Sequence, residues 1–237
     1  PPPRTPILSP TKRRRAGLSV RLALAVALEA SEMAGFAAGA IRSVFATSNG
    51  DGPVVHAILE TLAGPDRQVS PTQFHNSVHN AAAGYWSIGA GSQLPALCLG
   101  CHDATFAAGL LKAGCEALVE GGPVLLCVYD APLPPPLDAL RPTSGAFGVA
   151  LVVAPEESEG ALARLSLRYA AQAAEPARSE PLAAGLRALA MRNPAARSLR
   201  LLESLARSEP GALQAELLDG RMEIEVEPCR AGRAFTS

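Results

Sequence analysis

An excess of charge of either sign is missing from this sequence of 237 residues: Lys and Arg together number 21, Asp and Glu 22, for a formal net charge of −1. A nearly neutral chain has no overall electrostatic reason to bind nucleic acid or an anionic membrane, and neither is expected as a partner. The one local exception is Lys12-Arg13-Arg14-Arg15, behind the proline-rich start Pro1 to Pro10. It reads as part of a solvated, flexible arm over residues 1–16, or alternatively as a docking patch for an acidic partner. Long hydrophobic runs are missing too. The stretch from Leu18 to Leu28 is interrupted by Arg21 and followed by Glu29. It is too short for a membrane span, and no cleavage site follows that would make it a secretory leader. The five cysteines are an odd number and suggest no disulfide framework, so a reducing, cytoplasmic setting is expected. The chain opens on Pro1 rather than Met, which leaves room for residues before it. Histidine is scarce: there are four, and none follows His102.

What is present suits a folded domain. Hydrophobic residues make up 48% of the chain and charged residues 18%, enough for one large core and too apolar for broad disorder. Ala/Leu-rich residues 18–34 predict a helix, 41–47 a buried strand, and Ser48-Asn49-Gly50-Asp51-Gly52 a turn. Residues 53–62 predict a helix with Pro53 at its first position. A further helix is expected over 76–88, a short strand over 94–99, and a helix over 104–119. Residues 123–129 are continuously apolar, as a strand buried on both faces should be. Beyond the proline turn 132–136, residues 146–153 and 162–169 predict two strands paired antiparallel across the acidic loop 156–160. A polar linker follows over 172–181, then helices over 182–191 and 195–206. Alternation over 222–226 predicts a final edge strand. The expected architecture is α/β, a layered half-fold with a mixed β-sheet flanked by helices, spanning 17–230, with 231–237 a tail.

Two short motifs carry candidate chemistry. Cys98-Leu99-Gly100-Cys101-His102 has the spacing of a redox pair and, with its histidine, of a c-type haem attachment site. The absence of an export signal argues against haem. His75 and His79 are four residues apart, which on one helix would put both on a shared face and allow a metal. No third ligand lies nearby in sequence, and polar residues at a helix start or subunit interface are the simpler reading. Neither a cofactor nor a metal is expected.

The longest informative string is Ser70-Pro71-Thr72-Gln73-Phe74-His75-Asn76-Ser77-Val78-His79-Asn80-Ala81-Ala82-Ala83-Gly84-Tyr85-Trp86-Ser87-Ile88. It resembles the segment of β-ketoacyl-acyl carrier protein synthases in which a Ser-Pro turn leads to a helix reading Asn, three small residues, Gly, two bulky residues, Ser or Thr, and Ile. Small residues at Ala81 to Gly84 permit close approach of backbones, as a packed dimer interface beside a narrow tunnel requires. In this family a strand and a nucleophilic cysteine at a helix start come next, where the helix lowers the thiol pKa and backbone N–H groups assist the reaction. Counting on without a gap, the nucleophile position falls on Asp103, and residues 104–118 and 123–129 match the helix and strand that follow. The resemblance covers about residues 18–132 and implies a thiolase-like fold.

Two departures shape the expected function. Asp103 is no nucleophile for thioester exchange, and Cys101 lies two residues too early. The family's catalytic histidines and lysine belong to a C-terminal half that has no counterpart in these residues. The resemblance therefore points to chain-length factors, short ketosynthase-like proteins without the cysteine that pair with a complete ketosynthase, as in aryl polyene gene clusters. It implies a non-catalytic subunit in a heterodimer, acyl chains on acyl carrier protein as the substrate class, and a tunnel shared with the partner. The residues expected at that tunnel and interface are Gln73, Phe74, His75, Asn76, His79, Asn80, Ala82, Gly84 and Trp86. The alternatives are an active thiolase-fold acyltransferase using Cys101, and a redox or haem module on Cys98 and Cys101.

Overall fold

A computed structural model describes residue 3, residues 5–171 and residues 178–229. Most of the expected linker 172–181 and the whole expected tail 231–237 lie outside the described residues. In chain order the elements are α1 (Pro10–Arg15), α2 (Leu18–Met33), β1 (Arg42–Ala46), α3 (Gly52–Ala63), α4 (Pro71–Asn76), α5 (Ala81–Ala90), β2 (Ala96–Leu99), α6 (Thr105–Glu120) and β3 (Val124–Asp130). There follow α7 (Leu137–Leu140), β4 (Phe147–Val153), β5 (Ala163–Ala170), α8 (Ala184–Arg192), α9 (Leu199–Arg207), β6 (Gly211–Leu217) and β7 (Gly220–Pro228).

These elements stack in four layers. A first sheet of order β2-β1-β3-β4 has β1, β2 and β3 parallel and β4 antiparallel. Side chains alternate across it. Phe45, Leu125, Cys127 and Tyr129 face α2 and α5, while Val44, Ala46, Leu126 and Val128 face α6. All seven residues of β3 are buried, because helices cover both faces. On α2, Val20, Ala23, Leu24 and Ala27 are buried at helical spacing, and the buried Ser31 hydroxyl is satisfied by donating to the Ala27 carbonyl at 2.8 Å. Helix α6 comes very close to the first sheet: a Cβ on Gly109 would lie 3.0 Å from Leu126 Cδ1 and 3.2 Å from Ala46 Cβ. Gly121, at φ +66°, then closes α6 in the left-handed region. The other side of α6 and α9 carry the second sheet, order β5-β7-β6, all antiparallel. Leu165, Leu167, Met222, Ile224 and Val226 point into that core.

Several expectations change. Residues 146–153 and 162–169 do not pair with each other: β4 adds to the first sheet beside β3, and β5 joins the second beside β7. Their compositions explain the split. Phe-Gly-Val-Ala-Leu-Val-Val is apolar on both faces, whereas Ala-Arg-Leu-Ser-Leu-Arg-Tyr-Ala alternates and suits a sheet with one buried face. The expected edge strand 222–226 is the middle strand of its sheet, because β6 pairs with it through a hairpin at Leu218-Asp219. There is thus a second sheet, where one mixed sheet was expected. The helix expected over 76–88 begins only at Ala81, as α5; residues 77–80 separate it from the short α4, which ends at Asn76. Part of the expected solvated arm is instead packed: Thr5, Leu8 and Ala16 are buried and Ser9 caps α1 through Lys12 N, while Arg13 to Arg15 stay exposed. Among the described residues, no helix is long and apolar enough to cross a membrane.

Candidate functional site

Because β1, β2 and β3 are parallel, their C-terminal ends meet at one end of the first sheet. Asp130, at the end of β3, is fully buried there. Its Oδ1 accepts from Thr47 Oγ1 (3.0 Å), Ser48 N (2.9 Å) and Asn49 N (3.0 Å), which fixes the loop after β1. Burial pushes the Asp130 carboxyl above its usual pKa, against the pull of those hydrogen bonds.

Asp103 stands at the same end, between β2 and α6. The chain leaves β2, passes His102 at φ +48°, and makes a 3₁₀ turn over His102–Ala104 into α6. Thr105 Oγ1 closes the turn, accepting from Cys101 N at 2.9 Å and donating to the His102 carbonyl at 2.7 Å. The Asp103 carboxylate is gripped by two guanidinium groups. Arg141 donates to Oδ1, and Arg197 Nη2 donates to Oδ2 at 2.7 Å. Arg141 also donates to Ser48 Oγ at 2.9 Å, and Arg197 Nη1 to Glu216 Oε2 at 3.0 Å. One network therefore ties the loop after β1, the start of α6, the turn before α9 and strand β6. Burial raises the Asp103 pKa, but the Arg141 hydrogen bond and the charges of Arg197, Arg141 and His102 outweigh it and hold the group below its usual 3.8. A cleft of about 450 Å³, open solvent at its mouth included, lies alongside; Asp103, Phe106, Met191, Arg197 and Gln214 are among its lining residues.

Chemically, Asp103 is an ionised acceptor with both oxygens engaged. It can brace and neutralise, but it offers no free nucleophile. Nothing in the spacing of Arg141, Arg197 and Glu216 marks them as its partners, because they converge on it from far along the chain.

The residues expected at a tunnel or interface divide into two groups. Gln73, Phe74 and His75 lie on α4, with Phe74 and His75 exposed and Gln73 half-buried. Asn76 is buried: its Nδ2 donates to the Arg15 carbonyl (2.9 Å) and its Oδ1 accepts from Tyr85 OH (3.1 Å). His79 and Asn80 occupy the break between the helices. His79 Nε2 lies 3.2 Å from Thr47 O, and a Cβ on Gly100 would come within 3.1 Å of it, so His79 sits over the turn that leads to Asp103. Gly84 faces open space. Ala82 and Trp86 do not belong with these. Both are buried in the chain's own core, Trp86 with its ring centroid 6.1 Å from that of Phe45, so neither can touch a partner. The helix turns them inward, against α2 and β1.

Two motif readings fail on geometry. Cys98 packs with the cluster under α2 and α5, whereas Cys101 packs with the cluster under α6, on opposite faces of the first sheet. They are not a redox pair, and burial pushes the Cys98 thiol up to about 11, away from the reactive thiolate. His75 and His79 lie on separate segments rather than one helix face. Among the described residues, no three His, Cys, Asp or Glu side chains gather as a metal would need.

Residues 1–201 match the family model described as β-ketoacyl synthase, N-terminal domain. The chain belongs to the β-ketoacyl synthase family. No curated protein matches it. Among solved structures it is similar to a chain in "Ketosynthase (ApeO) in Complex with its Chain Length Factor (ApeC) from Xenorhabdus doucetiae". That match has TM-score 0.67 and 19% identity, over 94% of this chain and 83% of that one. A second, "The ishigamide ketosynthase/chain length factor", matches at TM-score 0.67 and 15% identity over 92% and 82%. The layered α/β fold is therefore that of the ketosynthases, thiolase-like, and the matched chains are similar in length to this one.

Proposed function

We propose that this chain is a non-catalytic, chain-length-factor type subunit that pairs with a full-length ketosynthase. It closes one side of an acyl tunnel in polyketide or aryl polyene synthesis, with chains carried on acyl carrier protein, in the cytoplasm. The observation that carries this reading is Asp103. At the helix start where the ungapped count puts the family's cysteine, this chain holds a carboxylate locked between Arg141 and Arg197. Thioester exchange there has no nucleophile. Both matched structures are of ketosynthases with chain length factors, which supports the same role here.

The surface available for pairing includes β2, an edge strand of the first sheet, together with the outward residues Gly84 and Ile88 of α5. An open strand edge offers unpaired N–H and C=O groups for another chain. On this reading Phe74, 68% exposed on α4, and Gln73 beside it wall a cavity completed by the partner. Filling or emptying a narrow apolar tunnel changes how long a chain fits. Phe74→Ala should admit one or more extra two-carbon units, and Gln73→Trp should cut the product short, both with the complex intact. Mass spectrometry of carrier-protein-bound products from the reconstituted pair measures this. Unchanged lengths across Thr72, Gln73, Phe74 and His75 variants would mean that the chain props up its partner without measuring the product. Condensation by the purified chain alone would overturn the non-catalytic assignment.

A further inference from the structure

Helix α3 is apolar and, among the described residues, only partly covered: Val54, Ala57 and Ile58 are half-buried. Only Gly52 is buried, where the helix start presses on Leu133: a Cβ there would lie 2.3 Å from Leu133 Cδ2. Val55, Leu59 and Leu62 recur at i, i+4 and i+7, one face of the helix, and are 37%, 49% and 47% exposed. On α2 the same kind of spacing leads to burial. A stripe of large apolar side chains left in water costs free energy unless something covers it.

The stripe does not end at α3. Its neighbour α4 carries the exposed Phe74, and the following Val78 is exposed as well. His79 then packs against Gly100, at the end of the open strand β2. Exposed apolar side chains thus occur on α3, on the neighbouring α4 and in the segment that leads from it. We infer that the Val55–Leu59–Leu62 face of α3 is a docking face for the ketosynthase subunit; the inference rests on the heterodimer proposed above. Area supports the choice of occupant. A stable interface buries about 800 Å² on each partner. β2 has only four residues, about 13 Å of edge at the usual rise, so the contact must spread beyond it. The chemistry of α3 selects a protein surface over a bilayer. It carries no Lys or Arg, and its one acid, Glu60, is met by His56 at 3.3 Å, whereas helices that lie on membranes present cations on their polar face.

The test uses the full chain and a full-length ketosynthase co-expressed with it. Leu59→Glu and Leu62→Glu replace exposed side chains, so both variants should melt with the wild type while binding the ketosynthase about 10–100-fold more weakly. Amide exchange at residues 55–63 should slow when the wild type is bound. Failure of the wild type to bind any ketosynthase sinks the heterodimer itself. Unchanged affinity in both Leu variants, with Ile88→Glu abolishing binding, leaves the heterodimer standing and removes α3 from its interface. A wild-type homodimer that Leu59→Glu turns into a monomer gives the face to a second copy and overturns the inference. Leu59-dependent sedimentation with phosphatidylcholine/phosphatidylglycerol vesicles gives it to a membrane and overturns it equally.

Discussion

Removing the Asp103 carboxylate should cost stability in a pH-dependent way. Its side chain is 32% exposed and that of Arg197 only 13%, so the pair is neither a surface bridge nor a fully buried one. Exposed ion pairs contribute about 0–1 kcal/mol, whereas breaking a buried pair costs about 3–5 kcal/mol because the remaining charge is stranded. Asp103→Ala leaves Arg197 with Glu216 as its one remaining carboxylate and Arg141 with Ser48, which places the cost between those limits, at about 2–3 kcal/mol. For a chain of this length that lowers Tm by roughly 4–12 °C. Asp103→Asn keeps an acceptor and should cost about half as much. The folded-state pKa is lowered, so this stabilisation is fully present above the unfolded value near 3.8 and is lost as pH falls through the folded pKa. Thermal melts of wild type and Asp103→Ala, followed by circular dichroism at neutral pH and at successive steps below pH 3.8, check both claims. Coincident melts at neutral pH would show that the network braces nothing. A gap that stays constant through the acid range would show that the charge is not its source.

Asp103→Cys sets a thiol between two guanidinium groups, which favour the thiolate. Iodoacetamide should label it faster than Cys98, yet the isolated variant should not condense acyl and malonyl units, and turnover would contradict that. Gly109→Val drives side-chain atoms into Leu126 and Ala46, which a Cβ alone would meet at 3.0 and 3.2 Å. It should destabilise the fold by about 1–3 kcal/mol, read as a fall in the denaturant midpoint. Ala82→Arg buries a charge in the cluster around Val20, Leu24 and Phe45. It should unfold the chain or leave it insoluble, whereas a well-folded variant that merely fails to bind a partner would place Ala82 at the interface after all.

The α/β class and the elements from α2 to β3 other than α4 were legible in the sequence, because those signals are local. The Ala/Leu periodicity of α2, the unbroken apolar run of β3 and the helix start at Asp103 each follow from neighbours a few residues apart. The Ser70 to Ile88 string carried the family for the same reason. The hairpin between β6 and β7 had a legible signal as well, Asp219-Gly220 between alternating runs, and it marks where the second sheet could have been read. The rest depends on contacts between distant parts of the chain. Strand partners depend on which faces are covered, so β4 and β5 separate into different sheets although they are adjacent in sequence. Residues 77–80 break the expected helix, and with the break the outward and inward sides change: Ala82 and Trp86 turn into the core while Phe74 is left in solvent. The grip of Arg141 and Arg197 on Asp103 joins residues 38 and 94 positions away from it. Charged groups carry no periodicity that marks a distant partner, and such a pair forms only when folding brings the start of α6, the loop after β3 and the turn before α9 to the same end of one sheet.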